Sequence, residues 1–260
     1  MEVAGKVVVV TGGASGIGRA LARRFAAEGA RGVVVADLDR DVASDVAAEL
    51  ERAIAVGCDV ADPAHADALI GAAEQAFGPV DLFCANAGVA VGEDLATPAE
   101  WDLAFAVNVR AHIAAAERLL PGWLERGSGY FLATASAAGI VSQIGSAPYA
   151  VTKHAAVAFA EWLSLTYGAR GVGVSCLCPM GVNTPLLTGE DTVATRVVKA
   201  AAPVLEPEDV AQAVVEGLAE ERFLILPHPK VLEFFRRKAG DYDRWLGGMR
   251  RLQASVSRAS

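Results

Sequence analysis

A tyrosine and a lysine are spaced so that they could act together in proton transfer. Tyr149 and Lys153 are four residues apart, which puts both side chains on one face of a helix, and Ser136 precedes the tyrosine by thirteen residues. A free phenol, with a pKa of about 10, is a poor base at neutral pH, but a nearby ammonium stabilises the phenolate. The pair predicts a general base; the alternative is a half-exposed helix face without chemistry.

A glycine-rich segment has the composition of a phosphate-binding turn. Residues 11–18 read TGGASGIG and follow a run of four valines. Glycines permit a tight turn and close backbone approach, and the N-terminus of a following helix offers free N–H groups to a pyrophosphate. We interpret the segment as a dinucleotide-binding turn; a plain flexible loop between a strand and a helix is the alternative.

An acidic residue, Asp37, ends the second predicted strand 19 residues after Gly18. A carboxylate there accepts hydrogen bonds from the ribose hydroxyls of an adenosine and repels a 2′-phosphate, which favours NAD over NADP. The alternative is a helix N-cap or a turn residue.

These residues must be positioned by short β-branched strands that alternate with alanine-rich helices. Strands are predicted at 7–11, 32–36, 53–58, 80–85, 129–134, 173–178 and 223–226, and helices at 18–28, 40–52, 63–77, 98–126, 148–170 and 207–220. Strands that are apolar on both faces and separated by helices indicate a parallel sheet covered on both sides. The pattern predicts a doubly wound α/β fold.

The sequence resembles the short-chain dehydrogenase/reductase family over roughly residues 5–226. The glycine signature, Asp59-Val60, Asn86-Ala87-Gly88, Asn108, Ser136, Tyr149, Lys153 and the turn 179–184 occur in the order that the family shows. The resemblance implies a Rossmann fold with a seven-stranded parallel sheet. It also implies an NAD(P)-dependent oxidoreductase that acts on alcohol and carbonyl groups.

The resemblance further implies a role for each matching residue. Tyr149 would be the acid/base, Ser136 would hydrogen-bond the substrate oxygen, and Lys153 would hold the nicotinamide ribose and lower the tyrosine's pKa. Asn108 would anchor a water in a proton relay. The positions expected to contact the cofactor are Gly12, Ser15, Gly16, Ile17, Gly18, Asp37, Leu38, Asp59, Val60, Asn86, Ala87, Gly88, Tyr149, Lys153, Pro179, Val182 and Thr184.

One position departs from the family's commonest motif, which reads Pro-Gly. Met180 follows Pro179 here, and its larger side chain could narrow or line the nicotinamide end of the pocket. The departure affects the expected shape of the substrate and not hydride transfer.

The segments expected around the reacting carbon, 89–96, 137–146 and 180–203, are mainly apolar. They supply Val91, Leu95, Ile140, Val141, Ile144, Met180, Leu186, Leu187 and Val193. An apolar pocket for a secondary alcohol or ketone, sterol-like or acyl-like, is one interpretation. The other is that these residues only close a lid, at about 180–205, against the sheet. Arg196 and Lys199 on this lid could meet a carboxylate or CoA phosphates, or could form a solvated helix face.

Composition excludes several classes of protein. The net charge of −8 argues against a nucleic-acid binder, and no apolar run approaches the roughly 18 residues of a membrane helix. The chain start lacks the pattern of a signal peptide, so we expect a cytoplasmic protein. The four cysteines show no CxxC pair and are interpreted as buried reduced thiols rather than a metal or disulfide site, and the four histidines have no ligand spacing, so no metal is expected.

The charge is divided unevenly along the chain. Residues 229–260 contain eight basic and three acidic residues, a net of +5, whereas residues 1–228 carry −13. We therefore expect a catalytic domain at 1–228 and a basic amphipathic helical extension at 229–260. Its apolar stripe comprises Val231, Phe235, Ala239, Tyr242, Trp245, Leu246, Met249 and Leu252. It is expected to pack on its own or a neighbouring subunit, with the acidic body as electrostatic partner; a membrane-surface helix is the alternative.

Two function classes follow from the sequence. The first is an NAD-dependent dehydrogenase or reductase for a secondary alcohol or ketone. The second is a non-catalytic nucleotide-binding scaffold or sensor of the same fold, whose usual mark would be loss of the serine, tyrosine or lysine. The family resemblance implies a homotetramer or homodimer formed through the helices that contain Asn108 and Tyr149.

Overall fold

The structure, a computed structural model, describes residues 1–189 and 191–257. Position 190, in the predicted lid, and 258–260, at the end of the predicted extension, lie outside the described residues. The strands are β1 (Val7–Thr11), β2 (Gly32–Asp37), β3 (Ala53–Gly57), β4 (Leu82–Ala85), β5 (Gly129–Thr134), β6 (Val172–Leu177) and β7 (Leu224–Ile225). They form one parallel sheet in the order β3-β2-β1-β4-β5-β6-β7, which confirms the predicted doubly wound Rossmann fold.

Helices cover both faces of this sheet. They are α1 (Gly16–Ala27), α2 (Arg40–Ala48), α3 (Pro63–Phe77), α4 (Pro98–Phe105), α5 (Ala111–Arg126), α6 (Ala138–Val141), α7 (Ala147–Tyr167), α8 (Pro185–Thr188), α9 (Val193–Ala201), α10 (Pro207–Ala219), α11 (Lys230–Gly240) and α12 (Tyr242–Ser257). No helix among the described residues is both long and apolar enough to cross a membrane.

Alternation along the strands explains why there are two core layers. In β1, Val7 and Val9 pack into the core beneath α3, α5 and α7, whereas Val8 and Val10 pack into the core beneath α1, α2 and α10. Successive side chains of a strand point to opposite faces, so a strand buried on both sides is apolar throughout. All five residues of β1 are buried accordingly.

The predicted helix at 98–126 is interrupted. Thr97 caps α4 in a capping box with Glu100, but the ladder widens into a π-helical turn at Ala106–Arg110 before α5 begins. Such turns occur frequently at functional sites, and Asn108 lies at the centre of this one. Hydrophobic periodicity could not reveal the interruption, because one extra residue in a turn leaves the pattern on either side intact.

The C-terminal extension is two helices rather than one. The break falls at Asp241, whose backbone is extended, and α12 continues through Gly247 and Gly248. The predicted stripe is partly wrong, because Phe235, Tyr242 and Leu246 are 38%, 56% and 43% exposed.

The described part of the extension packs on the body through apolar side chains and makes none of the expected ion pairs with it. Within the described part of α11 and α12, an ion pair joins Arg237 to Glu233 of the same helix at 3.8 Å. Val231 is fully buried, and Phe234 and Trp245 pack against the same core as α7.

A matched pair of glycines tests the packing between α5 and β5. A Cβ at Gly129 would lie 2.1 Å from the Trp123 ring, whereas one at Gly122, within α5, would meet nothing within 4 Å. Gly129→Ala should lower the free energy of unfolding by about 1–3 kcal/mol because it overpacks the core. Gly122→Ala should raise it by up to about 1 kcal/mol because alanine favours the helix. Urea titrations that gave both variants the same stability would contradict this packing.

Candidate active site

The carboxyl ends of the strands open into a cavity of about 940 Å³. It lies where the strand order reverses between β1 and β4, the position at which open α/β sheets bind ligands. Every predicted cofactor contact lines this cavity, as do Ser136, Tyr149 and Lys153. Asn108 is the one predicted site residue that lies outside the lining.

Glycines are required in the glycine-rich turn because other backbone atoms approach them closely. Gly12 has φ +64°, and a Cβ there would lie 2.9 Å from the Cα of Ala87. A Cβ at Gly18 would lie 1.9 Å from the Gly12 carbonyl oxygen. Ser15 precedes α1 and makes no side-chain cap bond, so the first N–H groups of the helix are open toward the cavity. The segment is therefore a fixed cradle and not a plain flexible loop.

A hydroxyl that the sequence did not single out joins this turn to β4. The Oγ1 of Thr11 accepts hydrogen bonds from the backbone N–H groups of Asn86 and Ala87 at 2.9 and 3.1 Å, and donates to the Cys84 carbonyl at 3.2 Å. The Asn86 amide returns a bond to the Thr11 carbonyl at 2.9 Å. Asn86 is thus held in the cavity wall by both its backbone and its side chain.

Asp37 is held at the mouth of the cavity by backbone donors. Its Oδ2 accepts from Ala14 N at 2.9 Å, and its Oδ1 accepts from Asp39 N at 3.3 Å, which is the turn contact that the sequence left open. Asp39, and not Asp37, caps α2. Asp37 and Asp59 together place negative charge along this wall of the cavity. The described lining of this wall has no basic side chain.

Ser136, Tyr149 and Lys153 meet at the opposite end of the cavity. Ser146 caps α7 through the N–H of Tyr149 at 3.4 Å, so the tyrosine lies in the first turn of the helix. The Ser136 hydroxyl lies near the phenol and acts to lower its pKa. Lys153 is 3% exposed, lies 5.7 Å from the centroid of the Tyr149 ring and donates to the carbonyl oxygen of Thr134 at 3.1 Å. This pair is therefore not a half-exposed helix face.

Burial moves the pKa values of both groups toward their neutral forms. Desolvation lowers the pKa of Lys153 to about 8, and desolvation raises the pKa of Tyr149 against the opposing effect of the Ser136 hydrogen bond. Burial is thus the largest effect on the phenol, and the lowering of the tyrosine's pKa by the lysine stays a prediction.

Asn108 lies behind this pair and is fully buried. Its side-chain oxygen accepts from Val89 N at 3.0 Å, and its amide donates to Val89 O at 2.9 Å and to the Thr152 hydroxyl at 3.0 Å. Asn108 thereby connects the π-helical turn to the loop after β4 and to α7. Thr152, adjacent to Lys153, is a supporting residue that the sequence did not indicate.

The substrate end of the cavity confirms part of the predicted lining. Val141, Ile144, Met180, Leu186 and Leu187 line it, whereas Val91, Leu95, Ile140 and Val193 do not. The inward residues on these loops depend on turn geometry that apolar composition does not specify. Arg196 forms an ion pair with Asp191 at 3.6 Å, and Lys199 is exposed, which favours the solvated interpretation of that helix.

His228 positions Met180, the residue that departs from the family's commonest motif. Its Nδ1 accepts from Met180 N at 3.1 Å, and its Nε2 lies 3.1 Å from the Gly181 carbonyl oxygen, which it can reach as a donor. Burial lowers the pKa of this histidine, consistent with a neutral ring that makes both contacts. A lone histidine at the end of a strand gave no sequence signal for this role.

The lining fits a dinucleotide. The glycine cradle and the open N-terminus of α1 match a pyrophosphate, and the Asp37 carboxylate matches ribose hydroxyls. The Oγ1 of Thr134 is buried in the cavity wall without a protein partner, beside the Lys153 ammonium. An unpartnered buried hydroxyl at this point suits a ligand that can hydrogen-bond to it.

Comparisons with known proteins agree with this geometry. The short chain dehydrogenase family model matches residues 6–193. The chain is 41% identical to 1-deoxy-11-beta-hydroxypentalenate dehydrogenase of Streptomyces exfoliatus, over 86% of this chain and 84% of that protein. It is 34% identical to levodione reductase of Leifsonia aquatica, over 70% and 71% of the two chains.

Solved structures show the same fold. A short chain dehydrogenase from Burkholderia phymatum in complex with NAD superposes with a TM-score of 0.84 at 33% identity, covering 94% of this chain and 96% of that one. A 3-ketoacyl-(acyl-carrier-protein) reductase from Brucella melitensis complexed with NADH gives a TM-score of 0.79 at 30% identity, covering 86% and 96%. The chain belongs to the short-chain dehydrogenase family of oxidoreductases.

The lowered pKa of Lys153 makes a prediction about stability. Between about pH 8 and its unfolded value of 10.5, the unfolded chain binds a proton that the folded protein does not. The free energy of unfolding contributed by this site therefore rises with pH across that window. Below the window the full cost of burying the charged lysine is present. Relative to Lys153→Met, the wild type should gain roughly 1–2 kcal/mol in free energy of unfolding between pH 7 and pH 9.5. Urea titrations that gave a constant difference between the two proteins would contradict the shift.

Proposed function

We propose that this protein is an NAD-dependent oxidoreductase that transfers a hydride between nicotinamide and a secondary alcohol or ketone, with Tyr149 as the acid/base. The observation that carries the proposal is the meeting of Tyr149, Ser136 and Lys153 at one end of a cavity whose other end is a dinucleotide cradle. The bound nicotinamide would accept or give the hydride at its C4 atom.

The protein's own residues handle the proton and orient the substrate. The Oη of Tyr149 takes the proton of the alcohol or returns one to the carbonyl oxygen, and Ser136 holds the same oxygen through its hydroxyl. Lys153, kept in place by the Thr134 carbonyl, orients the cofactor ribose and supplies positive charge beside the phenol. Asn108 supports this arrangement by fixing Thr152 on α7; the water-anchoring role that the family resemblance implies for it stays a prediction.

NAD is the cofactor that the charges of the cavity favour. Asp37 is the group that would meet the adenosine ribose, and a 2′-phosphate there would face its negative charge with no basic side chain in the described lining of that wall. Two similar solved structures are described as complexes with NAD and with NADH, which supports a nicotinamide cofactor here.

The substrate class rests on the apolar end of the cavity. Relatives carry the names of a hydroxypentalenate dehydrogenase, a levodione reductase and, at 35% identity from Sphingobium indicum, a 2,5-dichloro-2,5-cyclohexadiene-1,4-diol dehydrogenase. The last name describes an alcohol on a six-membered ring. We infer an alcohol or ketone of mainly apolar character for this protein as well.

Removal of the phenol hydroxyl tests the role of Tyr149. Tyr149→Phe should lower kcat by about 10²–10⁴-fold, because acid–base assistance of that size is lost, and should leave the Kd for NADH unchanged. Tyr167→Phe, at the end of the same helix and away from the cavity, is the matched control and should retain activity. Wild-type turnover by Tyr149→Phe would refute the assignment.

Charge removal at Asp37 tests the choice of cofactor. Asp37→Asn keeps an oxygen that can accept from Ala14 N but removes the negative charge, so the ratio of kcat/KM for NAD to that for NADP should fall about tenfold, the effect of roughly 1.4 kcal/mol. Steady-state kinetics with both cofactors measure the ratio. A wild type that already prefers NADP would show that the role of Asp37 is wrong.

The nucleotide-binding scaffold stays the second candidate. It predicts that NADH binds but that no alcohol or ketone in a broad panel is turned over. The presence of the serine, tyrosine and lysine in contact with the cavity favours the enzyme.

A further inference from the structure

The C-terminal extension reaches the substrate end of the cavity. Helix α11 packs against α6, and α12 packs against the lid helix α9. Both α6 and α9 contribute residues to the cavity wall, so the extension continues that wall outward from the sheet.

The two helices of the extension are divided into an apolar inner side and a basic outer side. Phe234, Trp245, Met249 and Leu252 line the cavity, and the rings of Phe234 and Trp245 lie 6.1 Å apart. The arginines of the two helices, Arg236, Arg237, Arg244, Arg250 and Arg251, are exposed. The positive charge of these arginines therefore faces solvent, and the aromatic part faces the cavity.

A buried lysine anchors this wall. Lys238 is 8% exposed, and its Nζ donates to the Ile140 carbonyl oxygen of α6 at 2.8 Å. The same Nζ lies 3.4 Å from the Nε2 of His154 on α7 and 5.4 Å from the centroid of the Tyr242 ring. The Nδ1 of His154 lies 2.7 Å from the Ala150 carbonyl oxygen, so a proton on Nδ1 leaves Nε2 free to accept from the ammonium.

This anchor connects the extension directly to the catalytic helix. A buried ammonium is costly unless its donors are used, and the partners of Lys238 lie on α6 and on α7 next to Lys153. The position of α11 is thereby coupled to the elements that carry Val141 and Tyr149.

The charges of the cavity lining favour an uncharged substrate. In the described lining the only basic side chain is Lys153, and the acidic ones are Asp37, Asp59 and Glu93. A thioester of coenzyme A or of a carrier protein brings phosphates, which proteins bind with arginine or lysine. The substrate end offers apolar side chains instead.

We propose that α11 and α12 form a specificity-determining cap that selects an uncharged, mainly apolar ketone or alcohol large enough to reach it from the reacting carbon. The part of the substrate beyond the reacting carbon contacts Phe234, Trp245 and Met249, and Lys238 is the positioning residue that holds the cap. The inference rests on the proposed function and adds to it the substrate class and the residues that recognise it.

Two ketones that differ by one ring, cyclohexanone and trans-1-decalone, test the cap. Phe234→Ala should lower kcat/KM for 1-decalone about tenfold, chiefly through KM, and should change the value for cyclohexanone less than twofold, because only the larger ketone reaches the cap. Phe235→Ala, one residue along and facing solvent, is the matched control and should change neither. Lys238→Met should raise KM for 1-decalone with kcat for cyclohexanone retained.

A binding experiment separates this proposal from the proposed function. Trypsin cleaves after the exposed arginines of α11 and α12, so 1-decalone in the presence of NADH should slow cleavage of the wild type and not of Phe234→Ala. If the wild type reduces no ketone with NADH or NADPH, the proposed function is wrong. The cap is then tested by protection from trypsin alone: the proposal holds if 1-decalone slows cleavage of the wild type and is wrong if it does not. Met249→Ala replaces Phe234→Ala if the latter loses NADH binding.

Three results would overturn the cap. The first is an equal loss of kcat/KM for both ketones, or no loss for either, in cap variants that still bind NADH. The second is a wild type that turns over cyclohexanone and not 1-decalone. The third is a wild type that prefers acetoacetyl-CoA to 1-decalone.

Discussion

The hydrogen bond from Lys153 to the Thr134 carbonyl is the interaction on which the rest of the site depends. It joins α7 to the carboxyl end of β5 over a distance of 3.1 Å. The bond holds a buried ammonium at the edge of the sheet where the strands have their carboxyl ends. The cost of burial appears in the pKa of the lysine, which falls to about 8. A buried charge requires hydrogen-bond partners, and the Thr134 carbonyl is the partner that the fold supplies to the Lys153 ammonium.

Several features follow from that constraint. Tyr149 lies one helical turn before the lysine, so fixing the lysine also fixes the phenol against Ser136. Asn108, at the centre of the π-helical turn, reaches α7 from behind through its hydrogen bond to Thr152. On the far side of α7, His154 accepts from Lys238, so the outer cap is held by the same helix. One helix thus positions the chemistry and the wall that surrounds the substrate.

Sequence reasoning predicted the elements well where the physical signal was local. Short apolar strands, a glycine string between a strand and a helix, and a tyrosine and lysine on one helix face all depend on neighbours in sequence. It failed where position depends on tertiary packing. The inward face of α11 carries Phe234 and not the expected Phe235, and a lysine on that inner face carried no signal because lysine normally marks solvent. The burial that raises the pKa of Tyr149 also gave no local signal, because burial is a property of the folded chain.

The central claim is that a hydride passes between nicotinamide and a carbonyl carbon at this site, with the proton handled by Tyr149. The most direct measurement uses NADH carrying deuterium in the transferred position at C4, cyclohexanone as acceptor, and mass spectrometry of the product. The account predicts cyclohexanol with one deuterium on the carbinol carbon, formed by Tyr149→Phe about 10²–10⁴-fold more slowly than by the wild type. Cyclohexanol that contains no deuterium, or equal rates of formation by both proteins, would contradict it.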